Sequence, residues 1–391
     1  MIRIFPLIFI LLWSSAFITT KPIIDNSDPF SALAFRFFFV AVGFYLFSVY
    51  SKQSIIIKKK NLVESVLSGV LFHGFYLGGV FYSISIGMPT GIAALIVTLQ
   101  PILTNALSGP ILGEEVKIKH GDLTLNANLN LPPEKSLANG VVLMLHGTLA
   151  HKDMEFMRGL QDMLVERGIP NLAFNLSLAQ DDRSGMFNCA GPHRHKDTNA
   201  VEEIGVWVDW LKAKGAGVIT ILGHSRGGNQ VARYVADKPD PAIKFAVLIS
   251  PGTWAPGKLA RDYKKNYKKD LVPLLNKAKS LARANQGHLL MEGIDILYCP
   301  NTIVAANTFL NYYIGSPQMD TPSVIKRINM PVLAVVGDND QVVPMFSERM
   351  KTTNQPNVKF VIVEDAGHFF LDLYGEDLAD EITTFVNGGN L

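Results

Sequence analysis

Ser225 is the residue in this sequence best placed for nucleophilic chemistry. It stands in a Gly-His-Ser-Arg-Gly sequence at residues 223–227, after the apolar run 218–222 and before a helical stretch. This is the strand–turn–helix context of a nucleophile elbow, in which glycines two residues before and after the serine allow a tight turn that exposes the hydroxyl. The pattern predicts that Ser225 is a catalytic nucleophile.

A serine hydroxyl needs a general base, and the base needs an orienting carboxylate. His368 is the expected base, because it follows the apolar run 360–363 in a Gly-His-Phe sequence near the C-terminus. Asp340 is the expected acid, because it ends a Gly-x-x-Asp sequence and is followed by Gln-Val-Val-Pro. Asp338 in the same loop is the alternative acid. The order serine, acid, histidine predicts a Ser225–Asp340–His368 catalytic triad.

Two backbone N–H groups are expected to bind the negative charge that develops in a tetrahedral intermediate at Ser225. One belongs to Arg226, directly after the nucleophile. The other belongs to Thr148, in a His-Gly-Thr-Leu sequence that follows an apolar run. His146 and His224 are expected to shape these loops without taking part in the chemistry.

A polar loop at residues 181–197 contains Cys189, His193, His195 and Asp197. Thiol and imidazole groups so close together are ligands that transition metals prefer. The spacing matches no common structural zinc pattern, however, and a triad enzyme needs no metal. We therefore expect no metal and no cofactor, and we predict that the loop lines the pocket with its polar groups bonded to one another.

From residue 116 onward, short apolar runs alternate with helical stretches. The segment 116–131 alternates polar and apolar residues around a central turn, which predicts an antiparallel hairpin. Runs typical of strands covered on both faces follow at 141–145, 169–176, 218–222, 245–249, 332–336 and 360–363, with helical patterns at 155–167 and 200–213. The alternation predicts an α/β domain with a doubly wound, mostly parallel sheet.

The stretch 256–327 interrupts this alternation and is predicted to be a helical cap over the site. Its first part, residues 261–269, is rich in lysine and arginine. Such a segment is either a solvated helix face or a contact with an anionic membrane leaflet.

Residues 1–113 have the composition of a membrane domain, and the run from Ser65 to Gly113 contains no Asp, Glu, Lys or Arg. The apolar stretches 4–20 and 30–50, and two more within 65–113 separated near 87–91, are each close to the length of a spanning helix. They predict an all-α bundle of about four transmembrane helices. A signal peptide is the alternative for the first stretch, against which the three following spans weigh.

Lysines predict how these spans are oriented. Lys52 and residues 58–60 lie between the second and third spans, which places that loop in the cytoplasm. Counting through four spans puts both termini, and the C-terminal domain with them, on the cytoplasmic side. Cys189 and Cys299 are expected to be unpaired in such a reducing compartment.

The His-Gly, Gly-x-Ser-x-Gly, Gly-x-x-Asp and Gly-His sequences, in this order at strand ends, resemble the α/β-hydrolase family of serine esterase or acylhydrolase type over residues 116–391. The resemblance implies acyl transfer to Ser225 and hydrolysis by water, with His368 as base and then acid. The sequences at 13–17, around Arg36, at 72–79 and at 91–103 resemble the start of an EamA-type drug/metabolite transporter over residues 4–113. Members of that family have two repeats of spans, so this segment is expected to be an incomplete transporter.

The predicted function is a membrane-tethered serine hydrolase that acts on an ester, thioester or related acyl bond of a small molecule or a lipid. A formal net charge of +2 gives no reason to expect a nucleic-acid partner. The alternatives are an EamA-like transporter fragment with a hydrolase appendage, and a fusion of two functionally unrelated parts, since almost no linker separates Gly113 from Val116. The substrate and the oligomeric state stay open.

Overall fold

The computed structural model describes residues 20–51, 59–99, 113–351, 353, 355–371 and 373–388. The chain consists of two compact units, Met1–Ile111 and Leu112–Leu391. Their boundary falls beside residue 113, where the sequence predicts the membrane domain to end.

The first unit is helical throughout most of its described residues. Its helices are α1 (Pro29–Tyr50), α2 (Lys59–Gly69), a π-helical segment (Val70–Leu77), α3 (Gly78–Ser85) and α4 (Thr90–Thr98). Helix α1 begins after Asp28, whose carboxylate accepts the Ser31 N–H at 2.8 Å and so caps the helix. The stretches Pro29–Tyr50 and Ser65–Ser85 are long and apolar enough to cross a membrane.

The four predicted spans are only partly visible. The first, residues 4–20, lies outside the described residues except for Thr20. The fourth begins as α4, after a break at Gly87 (φ 105°) where the sequence predicts one, and its remainder lies outside the described residues. Two long apolar helices are therefore observed, and the four-helix bundle stays a prediction.

The second unit is built on an eight-stranded sheet with the order β1-β2-β4-β3-β5-β6-β9-β10. The strands are β1 (Glu114–His120), β2 (Leu123–Asn130), β3 (Val141–Leu145), β4 (Asn171–Phe174), β5 (Ile219–His224), β6 (Ile243–Ile249), β7 (Leu290–Ile296), β8 (Cys299–Ala305), β9 (Val332–Gly337) and β10 (Val358–Val363). Strand β2 pairs antiparallel with β1 and β4, and all other pairs of this sheet are parallel. The predicted α/β architecture with a mostly parallel sheet is confirmed.

Helices cover both faces of the sheet. They are α5 (Glu155–Glu166), α6 (Asn199–Ala213), α7 (Arg226–Asp237), α8 (Lys258–Tyr267), α9 (Leu271–Arg283), α10 (Ala306–Tyr313), α11 (Thr321–Ile325), α12 (Pro344–Lys351) and α13 (Leu373–Gly388). Successive residues of a strand point to opposite faces, so Leu143 packs in one core with α6 and α7 while Met144 packs in a second core with α5 and α13. Burial on both faces explains why these strands are almost purely apolar.

The cap between β6 and β9 is not purely helical, which corrects the prediction for 256–327. After α8 and α9 the chain forms an antiparallel hairpin of β7 and β8, and only then continues into α10. Met291, Ile294 and Ile296 are buried on one side of the hairpin. The pairing shifts register between Met291 and Ile294 and again before Ile296, so the period of two that marks a strand is broken.

Cys189 and Cys299 form a disulfide bond across 110 residues of sequence, so the prediction that both cysteines are unpaired is wrong. The bond is possible because the loop before α6 runs along the cap hairpin. His193 lies in a parallel bridge with Val304, in which its N–H donates to Ile303 O at 2.8 Å. The disulfide thus joins the cap to the loop that leads to α6.

Candidate active site

Ser225 lies at the sharp turn between β5 and α7. Its backbone has φ 56° and ψ −121°, a strained conformation for a residue with a side chain, and such strain concentrates at functional sites. The turn requires glycine on both sides. A Cβ atom on Gly223 would lie 2.4 Å from the Gly227 carbonyl oxygen, and one on Gly227 would lie 2.3 Å from that of His146. The Gly-x-Ser-x-Gly pattern therefore has a steric cause here.

His368 and Asp340 form a buried pair on the loops after β10 and β9. His368 Nδ1 lies 2.8 Å from Asp340 Oδ2. The other carboxylate oxygen accepts the N–H groups of Val342 and Val343 at 2.8 and 3.0 Å. Asp338, the alternative acid, is exposed. The structure therefore pairs the histidine with Asp340 and not with Asp338.

The Asp340 carboxyl is ionised in this environment. Burial raises its pKa, but hydrogen bonds from His368 and from the Val343 N–H outweigh burial and lower the pKa to about 2. A carboxylate beside Nδ1 holds a proton on that nitrogen and leaves Nε2 free to accept one.

His224, directly before Ser225, contacts the loop that carries His368. Its Nε2 lies 2.9 Å from the His368 carbonyl oxygen, and the two ring centroids are 4.8 Å apart. Burial lowers the pKa of His224 to about 3, so the ring is neutral near pH 7 and its Nε2–H donates to that carbonyl. His224 therefore holds the His368 loop next to Ser225.

The three predicted triad residues lie at the same edge of the sheet, because β5, β9 and β10 run parallel and each residue follows the carboxyl end of its strand. Within the described part of the chain, Ser225 Oγ makes no hydrogen bond, so the contact between base and nucleophile is not closed in this structure. Contacts of this kind commonly tighten only when substrate binds.

Thr148 and Arg226, whose N–H groups are predicted to bind an oxyanion, lie side by side at the cavity that contains Ser225. Arg226 Nε donates to Thr148 Oγ1 at 3.0 Å. Neither backbone N–H donates to another described residue, so both are available to a ligand. His146 shapes this loop: burial lowers its pKa to about 3, and its neutral ring donates from Nδ1 to the Gly147 carbonyl at 2.9 Å.

Asp197, predicted only to belong to a pocket-lining loop, is the carboxylate that holds Arg226. One oxygen accepts from Arg226 Nη1 at 3.2 Å and from Gln230 Nε2 at 2.9 Å, and the other accepts from Arg233 Nη1 at 2.5 Å. Burial raises the Asp197 pKa, but the two guanidinium groups outweigh it and lower that pKa. The two arginines are seven residues apart on α7, which places them on one helix face. The sequence pattern does not predict which acidic residue pairs with them.

The other polar groups of the 181–197 loop have partners in different parts of the unit: Asp181 and Asp182 bond to the β1–β2 hairpin and Arg183 to the loop at 146–150, whereas the two histidines bond to each other and to the cap. His193 Nδ1 lies 3.2 Å from His195 Nε2, and His195 Nδ1 lies 2.9 Å from the Tyr312 hydroxyl. Burial lowers the pKa of the two histidines to about 4 and about 3, so both are neutral near pH 7. Among the described residues no three His, Cys, Asp or Glu side chains are grouped so as to hold a metal ion.

A cavity of about 290 Å³ opens at Ser225. Thr148 and Arg226 border it on the side of the sheet, and residues of α8, α10 and the turn of the β7–β8 hairpin border it on the side of the cap. Ser225 and the two residues whose N–H groups are predicted to bind an oxyanion border the same cavity. The arrangement is suited to attack on an acyl group.

Comparison with known proteins matches both parts of the chain. A family model for the alpha/beta hydrolase family matches residues 142–381, and one for the EamA-like transporter family matches residues 2–121. A non-heme chloroperoxidase of Streptomyces lividans is 27% identical over an alignment of 187 residues, and the match covers 42% of this chain and 66%, just under two thirds, of that protein.

Among solved structures, Est1E from Butyrivibrio proteoclasticus with bound ferulic acid has a TM-score of 0.53 and 19% identity, covering 70% of this chain and 98% of that one. DcsB in complex with its substrate analogue has a TM-score of 0.52 and 15% identity, covering 71% and 98%. At these identities the likeness concerns the fold.

Proposed function

Because the chain belongs to the alpha/beta hydrolase family, we propose that it is a serine hydrolase that cleaves an ester, thioester or related acyl bond. The observation that carries the proposal is the buried His368–Asp340 pair at the sheet edge where Ser225 stands on its strained turn. Acyl transfer requires a histidine whose tautomer is fixed by a carboxylate, together with a serine that opens to a cavity. An esterase-type reaction that needs no cofactor follows from this set of groups.

In the proposed mechanism, His368 Nε2 takes the proton of Ser225 Oγ as that oxygen attacks the acyl carbon. The N–H groups of Arg226 and Thr148 bind the oxyanion of the tetrahedral intermediate. His368 then gives the proton to the departing alcohol or thiol, which leaves an acyl ester on Ser225. A water molecule, deprotonated by His368, attacks this ester, and His368 returns the proton to Ser225 Oγ as the acid is released, while Asp340 stays ionised and stabilises the imidazolium.

The EamA-like segment and two long apolar helices indicate that the chain associates with a membrane. We propose that about four spans within residues 4–113 tether the hydrolase to it. The described residues offer no observation that favours transport, so the tether is the role proposed for this segment. The disulfide bond of the hydrolase unit favours an oxidising compartment, which opposes the cytoplasmic orientation predicted from the lysines.

The function is tested by treating membranes that contain the full chain with a fluorophosphonate, which reacts covalently with activated serines. Wild type is compared with Ser225→Ala and with Ser184→Ala, a matched control at an exposed serine outside the cavity. We expect a labelled band at 43.0 kDa in the membrane fraction for wild type and control. Ser225→Ala should give no band.

The possible results separate the two parts of the proposal. A Ser225-dependent band that is smaller and soluble would support the hydrolase and refute the tether. Labelling that persists in Ser225→Ala, or a folded wild-type protein that does not label, would refute Ser225 as the nucleophile.

A further inference from the structure

Six aromatic side chains border the cavity beside Ser225, five of them from the cap. They are Trp254, Tyr263, Tyr267, Tyr298, Tyr312 and Tyr313. We propose that this aromatic wall binds a flat ring in the acyl or the alcohol part of the substrate, so that the protein acts on small aromatic esters and not on lipids. The inference rests on the proposed hydrolase function of the same site.

Four of the five tyrosine hydroxyls of the aromatic wall are bonded to other residues, that of Tyr312 to His195 and the other three to the cap. Tyr263 donates to the Asp295 carbonyl at 3.0 Å, and Tyr267 donates to that of Leu297. The Tyr313 hydroxyl accepts the Leu297 N–H at 2.9 Å. Because these hydroxyls are bonded within the protein, a ligand meets the rings, and the rings open to it are those of Trp254, Tyr267 and Tyr298, while Tyr263 is only 1% exposed and supports them from behind.

Four of the six rings of the wall are held in place by neighbouring side chains. Tyr263 packs edge to face against both Tyr267 and Tyr313, with centroid separations of 4.8 and 5.3 Å. The Arg226 guanidinium lies over the Tyr312 ring at 5.2 Å. The four rings fixed in this way lose little conformational entropy on binding, and the wall offers a planar ring the offset and edge-to-face contacts that a saturated group cannot make.

The charged side chains at the cavity have partners within the protein. Lys258 lies 2.5 Å from Asp262, and Arg226 is bonded to Asp197. The site therefore does not need a charged substrate to balance a free charge. The volume of about 290 Å³ is at the lower end of the roughly 300–1,000 Å³ typical of ligand pockets. One ring with a short linker fits this volume.

The test compares methyl 3-phenylpropanoate with methyl 3-cyclohexylpropanoate. The two esters have the same reacting group and the same spacer, and they differ in whether the ring is flat. Release of acid by the full-length protein in detergent gives kcat/KM for each. We expect kcat/KM to be at least tenfold higher for the phenyl ester.

Tyr298 offers a matched pair of variants, because its side chain is 61% exposed on the hairpin turn and its replacement leaves the core intact. Tyr298→Phe keeps the ring and should keep the preference for the phenyl ester. Tyr298→Leu removes one ring and should reduce the preference about threefold or more. General damage to the site would lower both rates and leave their ratio unchanged, so the ratio reports on the wall alone.

A binding measurement separates this inference from the proposed function. Each ester is titrated calorimetrically into Ser225→Ala, to which the phenyl ester should bind about tenfold more tightly. If the phenyl ester binds more tightly to Ser225→Ala but wild type hydrolyses neither ester, the aromatic site is supported and the hydrolase function is refuted. Equal affinities and equal kcat/KM, with Ser225 still labelled, would overturn the aromatic site and leave the hydrolase. A preference for methyl nonanoate over both ring esters would overturn it in favour of a lipid-like substrate.

Discussion

Replacing Cys189 and Cys299 together by serine is expected to destabilise the hydrolase unit and to weaken its cavity. The disulfide joins the loop before α6 to the first residue of β8. Leu297 and Tyr298, directly before Cys299, border the cavity. The double variant should therefore lower both the free energy of unfolding and the rate with aromatic esters.

The size of the effect follows from the length of chain that the bond closes. A loop of 110 residues gives about 4–5 kcal/mol in the chain-entropy estimate, while measured values are usually about 2–4 kcal/mol. A unit of about 280 residues has an unfolding entropy of about 0.6 kcal/mol/K. A loss of about 2–4 kcal/mol should then lower Tm by about 3–7 °C.

Tryptophan fluorescence follows this transition, because three of the four tryptophans belong to the hydrolase unit: Trp207, Trp210 and Trp254. Thermal unfolding of the full chain is measured with and without a thiol reductant. Reduced wild type should have the same Tm as the double variant, and the reductant should not change the Tm of the variant. Equal Tm values for oxidised wild type and the double variant would refute the stabilising role of the bond.

Three further predictions concern the carboxylates of the site. Asp340→Asn should lower kcat about 10³–10⁴-fold, because the imidazole loses the partner that fixes its tautomer, whereas Asp338→Asn should stay within about threefold of wild type in the same ester assay. The Asp340 pKa of about 2 lies below its ordinary value of 3.8, so this ionised carboxylate adds roughly 2 kcal/mol to the free energy of unfolding at neutral pH. Acid unfolding should show this contribution disappearing as the pH falls toward 2. Asp197→Asn should cost about 3 kcal/mol or more in chemical denaturation, because Arg233 is left buried without a counter-charge; a loss below 1 kcal/mol would contradict that reasoning.

Much of the hydrolase unit could be predicted from local sequence. Strand β3 lies at Val141–Leu145 as predicted, because a continuous apolar run bounded by polar residues is suited to a strand with two covered faces. Ser225, Asp340 and His368 could be placed at one edge without knowing the packing, because neighbouring parallel strands end at the same side of a sheet.

The features that sequence could not supply depend on contacts between distant segments. The alternation of polar and apolar residues in β7 is broken at Glu292 and Gly293 and by two shifts of register. The sequence pattern of the cap therefore predicts helices only. Cys189 pairs with Cys299 because that hairpin contacts a loop 110 residues earlier in the chain. The spacing of cysteines in the sequence does not predict such a contact. Asp197 is a partner for Arg226 only because the same loop returns over α7.

Two physical arguments predict opposite orientations of the hydrolase unit across the membrane. The lysines at 52 and 58–60 predict the cytoplasm, but that argument counts four spans, two of which lie largely outside the described residues. The disulfide belongs to the hydrolase unit itself and persists in oxidising compartments, so we expect the hydrolase to face away from the cytoplasm. In intact cells a fluorophosphonate that cannot cross the membrane should then label Ser225, and a maleimide polymer should add mass at both cysteines only after reduction. If labelling requires permeabilised cells and both thiols react without reduction, the orientation predicted from the lysines is right and the one inferred from the disulfide is wrong.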